Sequence, residues 1–266
     1  MTPTNIPLED DASDIIAKAM YGLGLSPEQL ASKAKISEND VHAALQARCD
    51  DHIIRSLSHA LKLSPTALLN IACYQPRISA PNGLIRIVSA FGHVGVNAYI
   101  IVKGKHAVVF DTGTDASPLI DYIEGNQLTL DTLYITHHHH DHVAGIKKFN
   151  DIRIIYPEES KHGQKENILT GEQLTILNVS GHANPAKAYY YDGLKTPVCI
   201  VGDSVFAGSM GKSPDTESYQ QALRTAQENL MSLPPETILC PGHGPLTTIA
   251  CEQASNPFLA TTHENP

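Results

Sequence analysis

From residue 13 to residue 72 apolar positions recur at intervals of three and four, the spacing that gathers them on one face of a helix. Five short helices are predicted, over residues 13–23, 27–34, 38–48, 51–61 and 65–72. The start signals agree. Ser26-Pro27 and Ser64-Pro65 each set a hydroxyl cap before a proline at the first helical position, and Ser37 is followed three residues on by Asp40. Between Tyr74 and Gly83 the pattern breaks at Pro76 and Pro81 and reads as a linker. Beyond it the runs are short and β-rich: 84–91, 96–102, 107–110, 133–136, 152–156, 174–179, 188–191, 198–201 and 237–240. Helical candidates at 117–124, 143–149 and 219–230 fall between them, so strands and helices are interleaved. The expected division is an all-α domain over 1–75, a linker over 76–83 and an α+β domain over 84–266.

Composition adds limits. At 42% hydrophobic and 18% charged the chain is that of a globular protein rather than a disordered or membrane one. Its first fourteen residues are acidic and lack the basic, apolar and small-residue segments of a secretory leader, and no apolar run approaches the ~18 residues of a spanning helix. The expected setting is cytoplasmic, with no membrane partner. Five scattered cysteines, with no Cys-x-x-Cys, suggest neither a disulfide framework nor a zinc finger. A net charge of −9 disfavours nucleic acid and anionic membrane as main partners.

The chemistry is concentrated in THHHHDHVAG, residues 136–145, which follows the apolar run LYIT and precedes a helical stretch. His137, His139, Asp141 and His142 form H-x-H-x-D-H, and imidazole with carboxylate is the ligand set of zinc and similar first-row metals. On an extended turn alternate residues point the same way. His137 and His139 can therefore serve one metal while Asp141 and His142 turn toward a second, with His138 and His140 facing elsewhere. A bare histidine run is often only a polar loop; the strand before it and the Asp-His after it argue for a site. Three later segments repeat one design, a strand running into a Gly-flanked polar residue: LNVSGHANP with His182, VCIVGDSVFAGSMG with Asp203 and ILCPGHGPLTT with His243.

With these segments in this order, residues 84–259 resemble the metallo-β-lactamase superfamily, and within it the hydroxyacylglutathione-hydrolase-like (glyoxalase II-like) branch. VFDTG, GDSVFAGSMG and PGHGPLTTIACEQASNPF add to the likeness. The resemblance implies an αββα sandwich with metals at one edge of its two sheets. It implies that His137, His139 and His182 hold a first metal, that Asp141, His142 and His243 hold a second, and that Asp203 bridges. Asp111 then orients a ligand rather than binding metal. The implied cofactor is two zinc ions, with iron or manganese as alternatives.

Two such ions share a water, lower its pKa toward 7 and polarise a carbonyl, giving a hydroxide nucleophile without serine or cysteine. Asp141 and Asp203 are the expected catalytic carboxylates. Histidine at 139, where flavo-diiron oxygen reductases carry glutamate, and aspartate at 203, where true β-lactamases carry cysteine, favour hydrolysis of an ester or thioester. No dedicated acid for an amine leaving group is evident, which tilts the expectation to thioesters. Lys187, Tyr189 and Lys212 are candidate contacts to a small acidic substrate. Only 23 residues follow His243, too few for the basic C-terminal helical domain with which full-length glyoxalase II binds glutathione, and this argues against glutathione specificity. Other readings of the same residues are a lactonase, a single-iron persulfide dioxygenase and a metabolite-sensing DNA-binding regulator.

The last of these arises because LSPEQLASKAKISENDVHAALQARCDDHIIRSLSHALKLSPTALL resembles the helix-turn-helix domain of the phage Cro/repressor family. Residues 1–75 nonetheless carry six basic against nine acidic residues, a net −3, and the helix in the recognition position opens Ser37-Glu38-Asn39-Asp40. Phosphate contacts supply much of DNA affinity, so packing or self-association into a homo-oligomer is the expected role, with DNA the less favoured partner.

Overall fold

The computed structural model describes residues 6–92, 94–149, 151–169 and 171–260. Its first part is five helices: α1 (Ala12–Gly22), α2 (Pro27–Ala34), α3 (Glu38–Ala44), α4 (Asp51–Leu61) and α5 (Pro65–Asn70). Helix α1 starts at a carboxylate cap rather than at Ser13: Asp11 accepts from the N–H groups of Ser13 and Asp14, and the Asp14 carboxylate returns to the Asp11 N–H. Ser26 and Ser37 cap α2 and α3 through reciprocal boxes with Gln29 and Asp40. Helix α3 stops at Ala44, four residues short of the expected end. Ala47 takes a left-handed φ of 55°, and the Arg48 N–H turns back to the Ala43 carbonyl at 2.9 Å. Ile15, Ile16, Leu30, Val41, Leu57 and Leu61 form the buried core of this part.

The rest builds two sheets. The first has five strands in the order β1 (Leu84–Phe91), β2 (Val94–Lys103), β3 (His106–Phe110), β4 (Thr129–Tyr134) and β5 (Arg153–Ile155), with α6 (Ser117–Gly125) crossing between β3 and β4. A single turn, α7 (His140–Val143), and a 3₁₀ turn over Ile146–Phe149 stand where one helix over 143–149 was expected. The second sheet is assembled from β6 (Lys165–Ile168), β7 (Glu172–Asn178), β8 (Lys187–Tyr191), β9 (Val198–Gly202), β10 (Ile238–Pro241) and β11 (Thr247–Thr248), in the order β11-β10-β9-β8-β7-β6. Helices α8 (Thr216–Thr225) and α9 (Ile249–Ser255) complete the chain. The short edge strands β6 and β11 have no apolar run to announce them.

Alternation along each strand makes four layers. Tyr99, Ile101, Val108 and Phe110 of the first sheet meet Ile176, Tyr189, Tyr191 and Ile200 of the second. On the outer face of the first sheet Ile100, Val109 and Leu133 pack on Leu119 and Ile123 of α6. On the outer face of the second, Cys199, Val201 and Leu239 pack on Ala226, Leu230 and Ile249. This α+β arrangement is the αββα sandwich of the metallo-β-lactamase fold. All five cysteines are free thiols. Among the described residues no helix is long and apolar enough to cross a membrane.

The helical part is fastened to the sandwich by a buried acid. Glu252 of α9, fully buried, accepts from the hydroxyls of Tyr74 and Thr247, both at 2.6 Å, from the Asn256 amide at 2.8 Å and from the Gly208 N–H at 2.9 Å. Removing the carboxylate takes the acceptor from four donors, of which Thr247, Asn256 and Gly208 belong to buried residues, and an orphaned buried donor costs about 1–3 kcal/mol. Glu252→Ala should therefore lower the urea midpoint by the equivalent of about 3 kcal/mol or more, and Tyr74→Phe by about 1 kcal/mol. Equal midpoints in the two variants and the parent would show that this network carries no stability.

Candidate metal centre

Every candidate ligand sits just past a strand end. The H-x-H-x-D-H segment follows β4, His182 follows β7, Asp203 follows β9 and His243 follows β10. Strands β3 and β4 are parallel, as are β9 and β10, while β7 and β9 are each antiparallel to β8 and so share a direction. The ends therefore converge on one rim, where hydrogen bonds join the sheets. The Asn97 N–H donates to the Gly242 carbonyl at 2.7 Å, and the Asn97 amide and Tyr99 hydroxyl both donate to the Pro241 carbonyl at 2.8 Å.

The donors fall into two groups, His137, His139, His182 and Asp203 in one and Asp141, His142 and His243 in the other, the ligand atoms of each lying within 4.8 Å of one another. His182 Nε2 is 2.9 Å from His139 Nδ1 and 3.5 Å from Asp203 Oδ2; His243 Nε2 is 3.1 Å from Asp141 Oδ2. Donors at about 2.0–2.1 Å from a tetrahedral zinc ion stand about 3.3 Å apart, so these separations suit a shared ion. The Asp203 carboxylate reaches both groups, with Oδ1 3.2 Å from His142 Nε2 and Oδ2 3.5 Å from His182 Nε2.

The second nitrogen of each of four rings is already committed. Asp111 Oδ2 accepts from His142 Nδ1 and from the Thr136 hydroxyl, both at 2.8 Å, and the Thr136 oxygen is 3.0 Å from His137 Nδ1. His182 Nδ1 donates to the Lys212 carbonyl at 2.7 Å, and His243 Nδ1 to the Gly95 carbonyl at 3.1 Å. These partners set the tautomers and aim Nε2 of each ring at the cluster. Buried acceptors normally find a donor, yet His137 Nε2, His142 Nε2 and Asp203 Oδ1 are buried with none. A cation between them is what this donor set fits. Burial pulls the His137 imidazole well below its ordinary range, and neighbouring His142 adds to the effect. For His142 burial acts the same way but is outweighed by Asp203 and Asp111, which hold it well above. Burial raises the Asp203 carboxyl, but His142 and His137 overcome this and hold it well below.

The other candidates are distributed differently. His138 turns outward to Glu158 at 2.8 Å, and His140 is exposed. Asp111 joins neither ligand group and holds Thr136 and His142 instead, from a left-handed φ of 57° that is strained for a residue other than glycine. Tyr189 is not a substrate contact. It is fully buried between the sheets against Phe110 and Tyr134, and its hydroxyl donates to the Ile135 carbonyl at 2.7 Å. Lys187 is also buried; its N–H donates to the Thr136 carbonyl at 2.9 Å and so fixes the strand exit before His137. Lys212 meets the site through its carbonyl, while its ammonium lies 4.4 Å over the ring of Tyr21. Two neighbours were not anticipated: Phe206, edge-on to His243 at 5.7 Å, and Glu9, whose Oε2 is 3.9 Å from His243 Nδ1.

Comparison with known proteins agrees with the fold. Residues 91–166 match the family model described as Metallo-beta-lactamase superfamily. The solved structure of BLEG-1 B3 metallo-beta-lactamase superposes with a TM-score of 0.59 at 26% identity, over 66% of this chain and all of that one. The chain thus has the fold of the metallo-β-lactamase superfamily, and its residues 91–166 carry the likeness to that family's sequences. It is 31% identical over 160 residues to a hydroxyacylglutathione hydrolase of Prochlorococcus marinus (strain MIT 9301), over 54% of this chain and 63% of that protein. It is 26% identical over 200 residues to the probable metallo-hydrolase YqgX of Bacillus subtilis (strain 168), over 63% of this chain and 94% of that one. The match thus spans about three fifths of the first of these relatives. A structure titled as TTHA1623 in a di-iron-bound form superposes at TM-score 0.51 and 25% identity, over 65% of this chain and all of that one.

The cluster leaves no room for a methyl group at Gly242. A Cβ there would stand 2.2 Å from Asp203 Oδ1 and 2.6 Å from His142 Cε1. Gly242→Ala should cut zinc affinity by at least about tenfold, with an unchanged far-ultraviolet circular dichroism spectrum. Parental affinity in a chelator competition would mean that the crowding is absorbed away from the ligands.

Proposed function

We propose that the chain is a metal-dependent hydrolase of a small acyl thioester or related ester, working with two metal ions, zinc in the first instance. The observation that carries this reading is the pair of donor groups with Asp203 reaching both. His137, His139 and His182 would hold one ion, Asp141, His142 and His243 the other, and Asp203 would link them. When bound, such a pair supplies Lewis acidity and a water acidified toward neutrality. The chain's own part is to hold geometry and protons. Asp111, directly and through Thr136, keeps the Nδ1 protons of His142 and His137 turned away from the cluster. Burial raises the Asp141 carboxyl, but the adjoining His243 and the charge of His142 outweigh it and hold it below its ordinary range. Asp141 thus stays a carboxylate at neutral pH and orients the attacking water. The preference for a thioester rests on the leaving group, since a thiolate departs with little protonation, and on the hydroxyacylglutathione hydrolases among the relatives.

Protein purified without chelator should contain close to two transition-metal ions per chain and hydrolyse small acyl thioesters faster than lactones or phosphodiesters. Chelation should abolish turnover and added metal restore it. Asp203→Ala should cost at least about 10²-fold in rate, whereas His138→Ala and His140→Ala should keep their metal. A reproducible single iron, or full activity in Asp203→Ala, would sink this assignment.

For residues 1–75 we propose a unit joined through 76–83 to the catalytic part at 84–266, with a helix-turn-helix likeness but no DNA-binding role. Its net −3 supports this. Titration of the full chain with random and genomic duplex DNA at about 150 mM salt should show nothing tighter than the ~10⁻⁴–10⁻⁶ M of non-specific binding. Selective nanomolar binding would establish a regulator instead.

A further inference from the structure

The metal reading leaves the helical part without a task, yet that part touches the centre on two sides. We infer that it completes the metal centre, with Glu9 positioning His243 and Lys18 and Tyr21 of α1 positioning His182; the inference rests on the metal reading proposed above.

On the first side, the segment before α1 runs past the loop that carries His243 and delivers the Glu9 side chain beside the ring. Glu9 Oε2 is buried, has no hydrogen-bond partner and lies 3.9 Å from His243 Nδ1. That nitrogen already donates to the Gly95 carbonyl at 3.1 Å. A carboxylate beside the same N–H attracts its proton electrostatically and so favours the tautomer that keeps that proton on Nδ1.

On the second side, His182 depends on the Lys212 carbonyl, and Lys212 lies in a stretch with no helix or strand between β9 and α8. What holds that stretch comes from α1. Lys18, itself paired with Asp10, donates to the Met210 carbonyl at 3.0 Å; Tyr21 donates to the Pro214 carbonyl at 2.7 Å. The Lys212 ammonium is stacked over the Tyr21 ring at 4.4 Å. Two residues before and two residues after Lys212 are thus pinned to one helix. The loop is also pressed on the ligands, because a Cβ on Gly211 would stand 2.2 Å from the Asp203 carbonyl oxygen and 2.5 Å from His182 Nδ1. A shift of the clamp would move the carbonyl that sets the His182 ring. Orienting groups of this kind are worth about 10–100-fold in metal affinity.

The alternative is that α1 merely packs. Tyr21→Phe and Glu9→Gln separate the two, each altering a single group with little change of shape. In the full chain, zinc affinity is read by chelator competition, the electronic spectrum of the cobalt-loaded protein reports coordination, and the melting temperature of the metal-free protein reports the fold. Tyr21→Phe should weaken one of two ions by about tenfold and have no further effect in a His182→Ala background. Glu9→Gln should do the same for the other ion and have no further effect in a His243→Ala background. Both should shift the cobalt spectrum. Parental affinity and spectrum in both variants would overturn the inference and leave the metal reading intact. Equal losses in either background, or losses that only track a lower metal-free melting temperature, would also overturn it, since packing alone explains those. A parental chain that takes up no metal overturns the reading and the inference together, and the parental titration alone shows that.

Discussion

The centre depends on one buried carboxylate that belongs to neither ligand group. Asp111 is 2% exposed and accepts from the Thr136 N–H, the Thr136 hydroxyl and His142 Nδ1, all at 2.8 Å. With its proton donated to Asp111, the Thr136 oxygen has lone pairs for the His137 Nδ1 proton, so a single anion settles two tautomers. Both rings then turn Nε2 to the cluster. The left-handed backbone at Asp111 costs about 1–3 kcal/mol, and three hydrogen bonds to a charged acceptor offset it.

The sheets do the coarse placement and these outer hydrogen bonds the fine one. Same-direction strands in two packed sheets bring four chain exits to a common rim, a matter of topology that tolerates much change of sequence. Topology alone cannot say which nitrogen of an imidazole faces the cluster. That is settled by Asp111, the Gly95 carbonyl and the Lys212 carbonyl, each on a segment remote in sequence from the ring it holds. A centre of this kind is secure only where those segments are themselves fixed.

This divides what could be read from the chain. The candidate ligands are legible because each segment that carries them follows an apolar strand and has glycine or histidine neighbours, signals that are local. The hydroxyl chain through Thr136 was half legible, since VFDTG and the start of THHHHDHVAG stand at strand ends, but only the fold shows them side by side. Tyr189 stands seven residues after His182, but nearness in sequence does not put its side chain at the rim. The period of two along β8 instead puts Tyr189 and Tyr191 between the sheets. The charge of Lys212 is visible in the sequence, while its contact with His182 is made by a backbone carbonyl that every residue possesses. Glu9 carried no signal, being one of several acids near the N-terminus with nothing in the pattern to link it to His243.

Charge balance gives a reason for an acid at that place. On the proposed reading two divalent ions bring four positive charges into a largely buried rim, and neutral imidazoles offset none of them. Asp141 and Asp203 remove two. Uncompensated charge out of water is costly, and a surplus would also bind hydroxide or product anions too tightly for turnover. Asp111, beneath His142, and Glu9, beside His243, place further carboxyl groups on the side of the rings away from the cluster. There they offset charge without occupying positions on the metal, and the centre stays open to substrate. One of these acids lies in the sandwich and the other in the segment ahead of the helices, so both parts of the chain place acidic groups beside the centre.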